Sequence, residues 1–146
     1  MRTLVVLTLA LFFAVPAAAG PAEMDSTGTA TLTVRDTRYG RILFDGRGRV
    51  LYAFTHDTRG GPSRCYGACA AAWPVYYAPK TLSAGRGVTR SLIGTVKRRD
   101  GRRQITYNGW PLYYYVHDGP GQILCQNVDE FGGLWLVVRP SGALVR

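Results

Sequence analysis

The chain reads as mainly β, with two tandem repeats forming a small pseudo-twofold antiparallel β sandwich or flattened barrel and one or two short helices. Three observations carry that reading. First, the sequence matches itself after a shift of 61 places. Gly40, Arg41, Gly48, Leu51, Tyr52, His56, Asp57 and Gly60 fall on Gly101, Arg102, Gly109, Leu112, Tyr113, His117, Asp118 and Gly121. These are eight identities in a 21-residue ungapped window, where chance would give about one or two. Second, each copy alternates in the period of a strand around a glycine-rich turn. Third, one hairpin cannot bury its own apolar face, so two related hairpins packed face to face are the economical arrangement.

Residues 1–19 read as a signal peptide. Arg2 supplies a positive start, residues 4–15 are apolar apart from Thr8, and Ala17 and Ala19 give a small-residue cleavage site before Gly20. The apolar run is shorter than the ~20 residues that cross a bilayer, and no later stretch serves as a transmembrane segment. A lipid anchor is not expected, because Gly20 stands at the cleavage point and the first cysteine is Cys65. The expected location is therefore secreted, periplasmic or in the cell envelope. Residues 20–35 begin small and polar and read as a flexible N-terminal arm. Residues 36–146 then form a single β domain whose repeats run over about 40–79 and 101–139.

Within the repeats, "RILFDGRGRVLYAF" predicts two strands around a turn at 45–48, and "RQITYNGWPLYYY" does the same around Asn108-Gly109, a strong hairpin signal. Period two puts Tyr52, Phe54 and His56 on one face and Leu51, Ala53 and Thr55 on the other. Tyr113, Tyr115 and His117 face away from Leu112, Tyr114 and Val116 in the same way. Pro111 sits at a strand start, where a missing N–H costs little. "YGACAAAW" (66–73) predicts a short helix stopped by Pro74, with 126–131 as its smaller twin. Closing strands are expected at 74–77 and 134–139, and residues 80–91 read as the linker. Trp73, Trp135, Phe131, Leu51 and Leu112 suit the core. The tyrosines at 76, 77, 107 and 113–115, with Trp110, exceed what a small core needs; they fit either its flanks or a face for sugars, aromatic compounds or apolar molecules.

Losing Arg2 with the leader leaves 17 basic against 9 acidic residues, about +8, and all but Lys80 and Lys97 are arginine. This excess favours an anionic envelope polymer or another exported protein as partner; its bland reading is a solvated arginine face. Nucleic acid is not expected, since an exported chain rarely meets it. "KRRDGRR" (97–103) reads as an exposed approach to a hairpin and as the best local anion contact.

Three cysteines in an exported chain point to one disulfide and one leftover thiol. The repeat-equivalent pair Cys65 and Cys125 is the expected bridge, with Cys69 to Cys125 as the alternative, because a helix would orient Cys65 and Cys69 poorly for each other. Asp57 and Asp118 lie where strand gives way to loop and are expected to accept backbone N–H groups one or two residues ahead. A metal site built from His56, Asp57, His117 and Asp118 is disfavoured, because neighbouring strand residues point to opposite faces. The C-x3-C spacing is not a C-x-x-C redox motif, and no catalytic signature or cofactor-binding loop is present. No catalytic, cofactor or metal residues are therefore expected.

The paired Y-x-[FWY]-x-x-D hexapeptides, "CYGACAAAWP", "DGRRQITYNGWPLYYYVHD" and "EFGGLWLVVRPSG" closely resemble the bacterial secreted-repeat family of predicted lipoproteins with a Y-x4-D motif. The likeness runs from about Gly40 to the C-terminus. It implies export and duplication and brings no reaction with it. The family pattern covers Tyr52, Phe54, Asp57, Tyr113, Tyr115 and Asp118 and does not require His56 or His117. The family's frequent lipid-attachment cysteine is absent here. The expected function is an exported noncatalytic envelope or extracellular binding module, with an anionic or an aromatic or apolar ligand. The competing readings are a thiol-redox or metal-binding secreted protein, or an enzyme of unrecognised type.

Overall fold

The computed structural model describes residues 31–146; the expected signal peptide and residues 20–30 of the expected arm lie outside them. The elements in chain order are β1 (Leu32–Thr37), β2 (Gly40–Asp45), β3 (Tyr52–Phe54), α1 (Ala68–Ala72), a 3-10 turn (Arg90–Leu92), β4 (Ile93–Lys97), β5 (Arg103–Tyr107), β6 (Trp110–Tyr113), β7 (Val128–Glu130) and β8 (Gly133–Val137). The fold is mainly β and is built of two repeats. β1 and β2 form a two-stranded antiparallel sheet, and the other strands form a six-stranded sheet in the order β4-β5-β6-β3-β8-β7. The sheets do not close into a barrel.

The duplication is visible in the order of elements: β1-β2-β3 corresponds to β4-β5-β6. The expected arm therefore ends sooner than residue 35. Leu32, the counterpart of Ile93, is fully buried and starts a strand whose register runs from Leu32 opposite Asp45 to Thr37 opposite Gly40. In the second hairpin Tyr107 pairs with Trp110 across Asn108 (φ 49°) and Gly109 (φ 81°). Both central residues are left-handed, as a two-residue turn matched to strand twist requires.

The copies do not simply stack face to face. β3 pairs edge to edge with β6, Tyr52 opposite Tyr113, at the centre of the large sheet. Each copy then lends its closing segment to the other. β8 of the second repeat pairs with β3 of the first, Tyr52 opposite Val137 and Phe54 opposite Trp135. Reciprocally, Val75 of the first repeat bridges Tyr113, and Tyr76 and Pro74 exchange backbone hydrogen bonds with Leu112 and Tyr114 at 3.1 and 2.8 Å. The expected closing strand at 74–77 is reduced to bridges at Val75 and Tyr77. The expected helical twin at 126–131 is instead the β7 strand and its turn: Asn127 takes a positive φ of 62°, and its N–H bonds Trp135 O, which starts a hairpin with β8.

Period two sets the core. Tyr52, Phe54, Tyr113, Trp135 and Val137 bury one face of the central strands with Trp73, Ile42, Phe44 and Val50. Leu51, Ala53, Leu112 and Val138 bury the opposite face with Leu32, Leu43, Ile105 and Tyr107. Phe131 is the exception to the expected core. It stands 46 % exposed at the β7–β8 turn with φ 56°, because a tight antiparallel reversal forces its backbone into the left-handed region and its ring outward.

Candidate functional site

The hexapeptides meet across the pseudo-twofold axis. Tyr52 Oη donates to Asp118 Oδ2 at 2.6 Å, and Tyr113 Oη donates to Asp57 Oδ2 at 2.7 Å. The tyrosine of each repeat thus serves the aspartate of the other. The remaining carboxylate oxygens accept backbone N–H groups: Asp57 Oδ1 from Arg64 at 2.7 Å and Asp118 Oδ1 from Leu124 at 3.0 Å. The donors lie seven and six residues ahead rather than the expected one or two, because each aspartate closes a whole loop and not a single turn. Loops and hairpin tips cross in the same reciprocal way. Gly60 N–H bonds Gly109 O at 2.9 Å, and Gly121 N–H bonds Gly48 O at 2.8 Å. A Cβ on Gly109 would stand 3.0 Å from Gly60 N, so this approach needs glycine.

Aromatic packing repeats the pattern. Trp73 and Trp135, one from each copy, stack with centroids 3.9 Å apart and planes 3° from parallel. Tyr52 meets Trp73 edge-on at 5.2 Å, and Tyr113 meets Trp135 edge-on at 5.2 Å. Phe54 stacks on Trp135 and Tyr115 tilts against Trp73. His56 and His117 are exposed at the strand ends, beside Phe54 and Tyr115 respectively. Among the described residues, no three His, Cys, Asp or Glu side chains converge.

Burial pushes the Asp57 and Asp118 carboxyls above their ordinary value of 3.8, and the hydrogen bonds they accept only partly offset this. Burial, with the facing carboxylate next or near next, likewise raises the Tyr52 and Tyr113 hydroxyls far out of the physiological range. At neutral pH both tyrosines are donors and do not ionise.

Sequence reasoning missed a buried arginine that supports the Tyr113–Asp57 pair through Ser63. Arg98, expected on an exposed approach, is only 5 % exposed. Its guanidinium donates to Ser63 Oγ (2.7 Å), Gln104 Oε1 (2.7 Å) and Cys65 O (2.6 Å). Ser63 Oγ lies 2.5 Å from Tyr113 Oη. An arginine only donates, so Ser63 accepts from it and gives its single proton to Tyr113, which passes its own toward Asp57. The proton directions of the whole chain follow. The only available signal was a basic run interrupted by a turn at Asp100-Gly101, which leaves one arginine on the inward side. Among the described residues every buried side-chain polar atom has a partner.

The cysteines correct the expectation. Cys65 is bonded to Cys69, with Cα atoms 5.2 Å apart, and Cys125 is a free thiol, so neither Cys65 nor Cys69 bridges to Cys125. Cys65 and Cys69 can face each other because only Cys69 is helical. Gly67, at φ 56°, turns the chain into α1 and leaves Cys65 ahead of the helix, free to face its neighbour. Cys125 occupies the place in the second repeat that Cys65 holds in the first, following the N–H donor to the hexapeptide aspartate. Burial raises its thiol.

The described residues hold 17 Lys and Arg against 7 Asp and Glu, with Arg2, Glu23 and Asp25 lying outside them. The only ion pair among them is Arg102 with Asp100 at 2.9 Å. Asp45, Asp57 and Asp118 are buried, and each is occupied by hydrogen bonds within the fold. Arginines instead lie over aromatic rings: Arg49 over Tyr114 at 4.2 Å, Arg99 over Tyr66 at 4.4 Å and Arg102 over Tyr77 at 3.7 Å. Two shallow depressions, of about 480 and 430 Å³, adjoin at Tyr77, Ala78 and Pro79. No helix of the described residues is long and apolar enough to cross a membrane.

Comparison with known proteins places this geometry in a family. No curated protein and no solved structure matches the chain. The profile of a secreted repeat of unknown function matches it twice, over residues 33–76 and 94–139, one match on each half of the crossed pair. The chain therefore belongs to the family of secreted repeats whose description is "secreted repeat of unknown function".

Proposed function

We propose that this protein is exported, by cleavage of its leader near Ala19-Gly20 and without a lipid anchor, and acts as a noncatalytic module that binds an anionic polymer of the cell envelope. The observation that carries the reading is the unbalanced cationic surface: one ion pair among the described residues, with the buried acids withdrawn into the fold. Arg99, held over the Tyr66 ring and without a side-chain hydrogen bond among the described residues, keeps its N–H edges available for carboxylate or phosphate oxygens, and a planar fork suits either. The hexapeptides in this reading are braces. Tyr52, Asp57, Tyr113 and Asp118 spend their polar atoms on one another and on the backbone, so they hold the surface in shape and do not touch ligand. A raised Cys125 thiol does not favour thiolate chemistry.

The test is retention of the purified, leader-free protein on immobilised polyanions at increasing salt. Retention at low ionic strength, with log K falling linearly against log salt, is the expected result. Equal passage over polyanionic and neutral matrices at low salt would refute the proposal.

A further inference from the structure

We propose that the two adjoining depressions form one binding groove for an acidic glycan, a chain of sugar rings that carries its negative charges at intervals; this rests on the polyanion reading above and locates it. One depression is lined by Arg47, Tyr76 and Tyr114, the other by Lys80, Arg102 and Arg103, and they share Tyr77, Ala78 and Pro79. Cations therefore stand in both halves, with an aromatic and proline floor between them.

The floor is fixed in place. Tyr76 Oη donates to Thr31 O at 2.5 Å, Tyr114 Oη donates to Asp45 Oδ2 at 3.0 Å, and their rings lie 5.2 Å apart. Burial, with Asp45 as the next cause, raises both hydroxyls beyond any physiological titration, so the floor is uncharged. The one carboxylate lining the groove, Asp45, is buried and committed to donors within the fold. Asp45 Oδ1 accepts the Arg47 and Arg49 N–H groups at 2.9 and 2.8 Å, and Oδ2 takes the Tyr114 hydroxyl.

The cations are differently disposed. Arg102 is clamped by Asp100 and by Tyr77, whose Oη it donates to at 2.5 Å while lying over its ring. Arg103 uses Nε on Thr95 Oγ1 at 2.7 Å, which leaves its terminal nitrogens for a ligand. The Lys80 and Arg47 side chains bond nothing among the described residues. A compact anion would reach only one set, because Lys80, Arg102 and Arg103 line one depression and Arg47 the other, with Tyr77, Ala78 and Pro79 between them. A rod with rings between its charges meets both sets at once: aromatic floors take sugar rings, and guanidinium and ammonium groups take carboxylates.

The experiment is titration calorimetry of the leader-free full chain at low salt against three probes: an oligogalacturonate, a polyphosphate of equal charge and a neutral galactan oligomer. The oligogalacturonate is expected to bind more tightly than the polyphosphate. Lys80→Ala with Arg103→Ala should weaken it by about tenfold or more, the size of one charge-assisted contact. Arg86→Ala with Arg146→Ala, removing the same charge outside the groove, should weaken it by less than about twofold. All four side chains are exposed, so unchanged melting temperatures are expected for both pairs. Equal losses from the two pairs, or polyphosphate binding as tightly as the uronate, would overturn the groove and leave general polyanion binding intact. Binding of neither anionic probe would overturn both readings.

Discussion

Tyr52 and Asp118 belong to different repeats and are joined by a 2.6 Å hydrogen bond inside the core. Its twin joins Tyr113 to Asp57. The motif that identifies each copy is therefore completed by the other copy.

Removing the hydroxyl leaves a buried carboxyl short of a donor. Tyr52→Phe should lower unfolding free energy by about 1–3 kcal/mol, and Tyr113→Phe by more, because Ser63 also loses its acceptor. Urea denaturation measures both. In a double-mutant cycle, Tyr52→Phe with Asp118→Asn should cost less than the two single changes added; strict additivity would mean that the bond contributes nothing.

The same carboxylates predict an unusual pH response. Their folded pKa values are raised above the ordinary 3.8, so the folded state holds protons that the unfolded chain has released. Their contribution to stability is complete below the unfolded value and is lost as pH rises through the folded one. Stability at constant salt should accordingly decline on going upward from about pH 4. Asp118→Asn, which cannot titrate, should reduce that slope. A stability curve that climbs over the same interval, and climbs less in the variant, would reverse the assignment.

Native alkylation followed by intact-mass measurement should tag one thiol, Cys125, and three after reduction and unfolding. Cys69→Ser removes a short-loop bridge, worth about 2 kcal/mol in the chain-entropy account. Cys125→Ser should cost much less. A variant in which loss of Cys125 exposes a new free thiol would restore the bridge between repeats.

Phe131 holds a left-handed backbone at the β7–β8 turn while half exposed. Asn tolerates that conformation, so Phe131→Asn should raise stability, by up to about 1 kcal/mol. A lowered melting temperature would show that the ring contributes packing greater than the strain it carries.

The legible part of this fold was periodic. The 61-place shift, Asn108-Gly109 and the alternation of Tyr52 with Ala53 depend on neighbours in the chain, and each is reproduced in the strands. Illegible features depend on what crosses the axis. The basic run does not say which arginine turns inward: Arg98 and Arg99 both lie against Tyr66, yet Arg98 is buried on Ser63 and Gln104 and Arg99 is exposed. Cys65 and Cys125 share a repeat position, which suggested a bond between them; the backbone freedom of Gly67 decided for Cys69 instead. Residues 126–131 compose a plausible helix, but their Asn127 and Phe131 conformations and the waiting edge of β8 make them a hairpin.

The lending of closing segments has a consequence for the history of the gene. Ordinarily one of two duplicates is released from constraint and drifts toward a new task. Here deleting or remodelling either half would strip a strand and a phenol from its sibling. Both hexapeptides thereby carry a shared obligation, from which loops and outer faces that neither half borrows are free.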